Sequence, residues 1–150
     1  MRALKQTDGK DKRKLACLRK EASFLSTVRH PLIPACIRVI DEESSFSLLM
    51  EYVEGQNLQQ LLEEEHGFEL QKILEWGLAL CRLFAFLHSQ GITYCDLKPS
   101  NLLLSADNTL HLVDFGAICF HRKPQPKDTV YLGTKGYAAP ELFGGMGAAD

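Results

Sequence analysis

Residues 94–101 read Tyr94-Cys95-Asp96-Leu97-Lys98-Pro99-Ser100-Asn101, and the chain runs on to Asp114-Phe115-Gly116 and then to Ala139-Pro140-Glu141. An Asp beside a Pro is, taken alone, a turn residue. A three-residue motif is also cheap in a chain of 150 residues. The weight lies in order and spacing. Asp96, Lys98 and Asn101 put a carboxylate, a cation and a carboxamide on one short loop, and a second carboxylate follows at Asp114. Between them, Leu102-Leu103-Leu104 and Leu110-His111-Leu112-Val113 flank Asp107-Asn108, which reads as a small hairpin. That hairpin would carry the loop at one end and Asp114 at the other.

Working outward, residues 70–89 read as a long helix with Ile73, Leu74, Gly77, Leu80, Cys81, Phe84 and Leu87 on its buried side and Gly91 as its stop. Trp76 reads as packing, and His88 as a surface or capping histidine. Leu58 to Glu65 is a shorter helix whose Glu63, Glu64 and Glu65 form a solvated end. Residues 36–41 and 46–53 read as strands joined by the polar turn Glu42-Glu43-Ser44-Ser45, with Gly55 closing the second. Leu15, Leu18, Ala22, Leu25 and Val28 repeat at helical spacing, with Glu21 beside that face. His30-Pro31 is expected to end this helix, because the residue before proline is pushed out of the helical region. Residues 2–6 read as a strand bearing Lys5.

Composition sets the bounds. A length of 150 residues suits a single domain, and 45% apolar residues suffice for a core. The net charge of −2 gives no reason to expect nucleic acid as a partner. Lys10, Lys12, Arg13 and Lys14 read as a solvated loop leading into a helix. Leu78 to Leu87 is too short to span a bilayer and contains Arg82, so no membrane segment is expected. The five cysteines, Cys17, Cys36, Cys81, Cys95 and Cys119, form no C-x-x-C pair. Neither a disulfide framework nor a zinc site is indicated, which points to a reduced, cytoplasmic protein.

In this order the three motifs resemble the signature set of the protein kinases: a catalytic loop, then Asp-Phe-Gly, then Ala-Pro-Glu. The resemblance implies an α+β, two-lobed kinase fold, here partial. Residues 1–53 would form a partial N-lobe with its C helix, and 54–150 the hinge end and the upper C-lobe through the activation segment. It implies ATP and Mg2+ as cofactors and the serine or threonine of a protein as acceptor, in a style similar to bacterial members. Phosphoryl transfer needs positioning and charge neutralisation more than covalent help. On the matching positions, Asp96 would accept the substrate hydroxyl proton and Lys98 would sit by the transferred phosphate. Asn101 and Asp114 would hold magnesium. Lys5 would bind the nucleotide phosphates, with Glu21 holding Lys5. Met50 would be the gatekeeper beside the adenine pocket, and the backbone of Glu51 and Val53 would read the adenine edge. Gly133 to Glu141 resembles the substrate-docking stretch of the serine/threonine branch.

The pattern also departs from the family. Tyr94 stands where a His is usual, a position that packs and hydrogen-bonds. Cys95 stands where an Arg would read an activation-loop phosphate, so Thr129 and Tyr131 are poor candidates for a phosphate switch of that kind. Asp96 beside Cys95 disfavours its thiolate. The resemblance covers the middle of a kinase domain, without the glycine-rich loop before Lys5 or the large helices after Glu141. The expectation is a fragment, marginal in stability and weakly active alone, since each large aliphatic side chain left exposed forfeits roughly 1.5–3 kcal/mol. The rivals are a pseudokinase that binds nucleotide as a scaffold, a small-molecule kinase of the aminoglycoside or choline type, and a non-functional truncated product. Lys98 and Ala139-Pro140-Glu141 disfavour the small-molecule kinase.

Overall fold

The computed structural model describes residues 1–65, 67–121 and 133–138. Strand β1 (Arg2–Thr7) alternates exposed and half-buried positions, which puts Ala3, Lys5 and Thr7 on its inner side. Helix α1 (Lys12–Thr27) begins at Asp11, whose carboxylate accepts from the backbone N–H groups of Arg13 (3.0 Å) and Lys14 (3.1 Å). Those are donors the first helical turn cannot satisfy internally. The helix stops at Thr27, with Val28 already extended, so the chain leaves helical geometry before His30-Pro31. Its inner face carries Leu18, Ala22, Phe24 and Leu25, and Glu21 is buried among them.

Strands β2 (Cys36–Asp41) and β3 (Phe46–Glu51) form the expected hairpin, closed by hydrogen bonds between Glu42 and Ser45. β3 ends at Glu51, so the strand is shorter than the 46–53 pattern suggested. The sheet order is β1-β3-β2, all antiparallel. Central position explains why β3 is apolar almost throughout: Phe46, Leu48 and Met50 are all buried.

Below this sheet, β4 (Gly55–Asn57) leads into helix α2 (Leu58–Glu65), followed by helix α3 (Leu70–Ser89) and β5 (Ile92–Tyr94). A 3-10 turn at Pro99–Asn101 then enters the hairpin β6 (Leu102–Ser105) and β7 (Leu110–Leu112), and β8 (Ile118–Phe120) follows Asp114-Phe115-Gly116. β4 pairs with β6, and β5 with β8. Gly55 is required in β4: a Cβ there would lie 2.1 Å from the Leu104 carbonyl oxygen. Gly91 ends α3 at φ 70, a left-handed conformation that glycine adopts without strain.

The buried side of α3 differs from the expected one. Trp76, Leu83 and Leu87 are buried, with Leu80 and Phe84 packed against them, whereas Ile73, Leu74, Gly77 and Cys81 are exposed. The helix is apolar around most of its circumference, so periodicity alone cannot orient it. Trp76 packs edge-on against Phe68 at 5.1 Å. His88 is exposed in the last turn.

One hydrophobic cluster runs through both halves, from Leu18 and Leu48 to Leu87, Leu112 and Ile118. The backbone reinforces it where Leu112 N–H donates to Leu32 O across 2.8 Å, tying the lower hairpin to the loop after α1.

Candidate active site

Three elements converge below β1. Lys5, on the inner face of the strand, reaches Glu21 of α1 with Nζ–Oε1 2.6 Å, so the predicted pair forms. The same Oε1 accepts from Phe115 N–H at 3.2 Å. Glu21 is therefore a buried carboxylate with two donors, and it links β1, α1 and the Asp114 turn. Lys5 Nζ also lies 3.6 Å from Asp114 Oδ1. That lysine side chain is 38% exposed, so the pair acts through position more than through stability.

Asp114 has φ 66, left-handed for a residue with a Cβ. Asp tolerates that region better than most residues, and its neighbours hold it there. Tyr94 Oη donates to Asp114 O (2.9 Å) and Val113 O (3.0 Å). Phe115 is buried with its ring 4.7 Å from Phe24 and 5.7 Å from Tyr94. Tyr94 thus fills the packing and hydrogen-bonding post expected of it. Burial, with the nearby carboxylates adding to it, holds its phenol well above the ordinary tyrosine range.

On the loop itself, Asn101 is buried and its Nδ2 donates to Asp96 O (2.9 Å), Asp96 Oδ2 (3.3 Å) and Tyr94 Oη (3.2 Å). The amide nitrogen is committed to shaping the loop, which leaves Oδ1 as the atom for a cation. Asp96 Oδ2 is 2.7 Å from Lys98 Nζ. Its Oδ1 accepts from Thr134 Oγ1 at 2.6 Å, and Lys98 Nζ donates to that same hydroxyl at 2.7 Å. A threonine hydroxyl therefore sits between the candidate base and the candidate phosphate-side cation. Sequence reading assigned Gly133–Glu141 as a stretch and missed Thr134 as an individual contact. Nothing local marks it, because Thr134 lies 38 positions from Asp96 in the chain.

Lys5, Glu21, Met50, Asn101 and Asp114 line one cleft of about 240 Å³. Met50 is buried, as a residue at the back of that cleft should be. Glu51 and Val53 instead line a larger cleft of about 570 Å³ with Pro31, Tyr52, Asp107 and His111. Lys5, Glu21 and Asp114 do not line that cleft, so the phosphate-side chemistry belongs to the smaller one. Glu51 is tied to the loop before β2: its N–H donates to Ala35 O and its carboxylate accepts from Ala35 N–H, both at 2.9 Å. Ala139-Pro140-Glu141, Thr129 and Tyr131 lie outside the described residues.

The donor set suits a hard divalent cation. No three His, Cys, Asp or Glu side chains among the described residues are grouped to hold a metal by themselves. An exposed Asp114 carboxylate and the Asn101 amide oxygen match the way Mg2+ binds, through one or two protein oxygens plus substrate phosphates and water.

Comparison with known families matches residues 1–149 to the protein kinase domain, and the chain belongs to that family. Its relatives include the serine/threonine-protein kinase cds1 of Schizosaccharomyces pombe, 32% identical over 134 residues, covering 89% of this chain and 29% of that protein. Serine/threonine-protein kinase Nek3 of Mus musculus is 30% identical, covering 83% of this chain and 25% of its own length. The cAMP-dependent protein kinase catalytic subunit of Dictyostelium discoideum is 32% identical, covering 87% and 20%. The chain spans less than a third of the length of each of these relatives. No helix among the described residues is long and apolar enough to cross a membrane.

Proposed function

We propose that this chain carries the catalytic groups for ATP-dependent phosphorylation of serine or threonine in protein substrates. The observation that carries the reading is the Asp96–Lys98–Thr134 cluster: a carboxylate and an ammonium both hydrogen-bond one side-chain hydroxyl, at 2.6 and 2.7 Å. A substrate hydroxyl at that place would give its proton to Asp96 and keep Lys98 beside the phosphoryl oxygens. Lys5, held by Glu21, would bind nucleotide phosphates in the cleft that Met50 lines, and adenine would extend past Pro34, which lines both clefts, to the backbone of Glu51 and Val53. Asn101 and Asp114 would hold Mg2+, which when bound neutralises charge on the phosphates. The relatives' names and Lys98 support serine and threonine as acceptors. The odd number of cysteines, none of them in a C-x-x-C pair, supports a cytoplasmic setting.

The 150 residues alone are expected to transfer phosphate slowly. The Lys5 and Asp114 side chains are 38% and 56% exposed, and charges facing water stabilise a transition state less than charges shielded from it. The test is an assay with magnesium-ATP and a generic protein substrate, on this chain and on a longer form containing it. Asp96→Asn should lower turnover of the longer form by about 10²–10⁴, the span general base catalysis supplies. Turnover unchanged by Asp96→Asn would overturn the reading. Nucleotide binding without any transfer in the longer form would favour a nucleotide-binding scaffold.

A further inference from the structure

β5 and β8 pair so that Thr93 faces Cys119. Side chains alternate along a strand, so Thr93 and Cys95 share one face of the ladder with Cys119 and His121. Two of the five cysteines thereby meet: Cys95 S–H donates to Cys119 Sγ with the sulfurs 3.4 Å apart. Both are half-buried, close enough to solvent for a small molecule to reach. Neither belongs to the hydrogen-bonded network of Asp96, Lys98 and Thr134, although Cys95 directly precedes Asp96. Cys17 and Cys81, by contrast, are exposed and have no such neighbour among the described residues.

We propose that Cys95 and Cys119 are an oxidative modification site, in which a hydroperoxide converts the dithiol to a disulfide joining the catalytic loop to the strand after Asp114-Phe115-Gly116. Cys119 is the attacking sulfur. The hydrogen bond from Cys95 holds its thiol down to about 7, and the nearby Lys20 ammonium adds to this. The same hydrogen bond, with burial, pushes the Cys95 thiol up, so the proton stays on Cys95. A thiol that ionises near ambient pH is the better nucleophile of such a pair.

In the first step Cys119 Sγ attacks the peroxide, the O–O bond breaks, and a sulfenic acid forms with release of alkoxide or hydroxide. In the second, Cys95 Sγ attacks the sulfenic sulfur, and the S–O bond breaks. The departing hydroxide takes the Cys95 proton and leaves as water. Two electrons pass from the two sulfurs to the peroxide. The sulfurs must close from 3.4 Å to a bond of about 2.05 Å. The pull falls on the residue beside Asp96.

The experiment treats the folded 150-residue chain with a few equivalents of hydrogen peroxide, followed by non-reducing digestion and mass spectrometry. Expected is one dominant peptide pair linking Cys95 to Cys119, removed by dithiothreitol. In Cys95→Ser the serine hydroxyl can still donate to Cys119 Sγ as the thiol did, but the sulfenic acid has no thiol partner. Dimedone should then label Cys119 about tenfold faster than exposed Cys17 and Cys81, which have no hydrogen-bonding sulfur beside them among the described residues. The same treatment in guanidinium should scatter cross-links among all five cysteines. The proposal is overturned if Cys119 is labelled no faster than Cys17 and Cys81. It is equally overturned if the Cys95–Cys119 link forms with the same yield in guanidinium as in native buffer. Neither readout needs kinase activity, so a failure here is distinct from a failure of the proposed function.

Discussion

The junction around Tyr94 and the outer face of α3 are opposite answers to the same physical demand. At the junction, polar groups are buried and each has a partner: Glu21 accepts from Lys5 and Phe115, and Asn101 donates to Asp96 and Tyr94. No buried side-chain nitrogen or oxygen among the described residues is left unpaired. On α3, Leu70, Ile73, Leu74 and Leu78 are exposed although they are apolar. Burying an unpaired polar atom costs about 1–3 kcal/mol, so the junction admits one arrangement. An exposed leucine merely forgoes a gain, so the outer face of α3 constrains nothing. The difference separates residues that position the site from residues that only share its helix.

Substitutions can break or sharpen this contrast. The largest effect is expected within α3 itself. Leu83 is fully buried, and Leu83→Ala should cost about 2–5 kcal/mol in chemical denaturation, through lost contacts and the cavity left behind. Next is Gly55→Ala, whose Cβ has nowhere to go beside the Leu104 carbonyl. Separating β4 from β6 enough to admit it should cost about 1–3 kcal/mol, and a thermal midpoint equal to the parent's would show that β4 is not held there.

Tyr94→Phe should cost less, about 0.5–1.5 kcal/mol, because Asn101 keeps its bond to Asp96 when the hydroxyl is lost. It has a second signature. The folded chain holds Tyr94 protonated above the ordinary range, so its contribution is complete below about pH 10 and disappears as pH rises further. Stability should therefore fall less steeply above that pH in Tyr94→Phe than in the parent, and parallel curves would contradict a buried hydroxyl. The smallest effect is expected for Leu74→Ala, within about 0.5 kcal/mol of the parent because the side chain is 54% exposed. A loss comparable to Leu83→Ala would mean that this face is covered after all.

Much of the site was legible in the sequence. Asp96, Lys98 and Asn101 lie on one short loop, and their mutual geometry is largely local. Lys5 and Glu21 could be paired because the helix carrying Glu21 announces its inner face through Leu18, Ala22 and Leu25. Gly91 marked its own turn. The short strands β4, β5 and β8 were not foreseen, because three residues are too few to show a period.

The amino-acid order by itself determined the family, the candidate site residues and the course of α1, since these depend on residue type, spacing and contacts within a turn or two. Tertiary structure alone decided which side of α3 is buried, because an almost uniformly apolar helix carries no orienting pattern. It alone brought Thr134 onto Asp96 and Lys98, and Cys119 onto Cys95, across 38 and 24 positions of chain. Such contacts follow from strand register and chain reversal. Those are properties of the whole packed core, and a short window of sequence does not hold them.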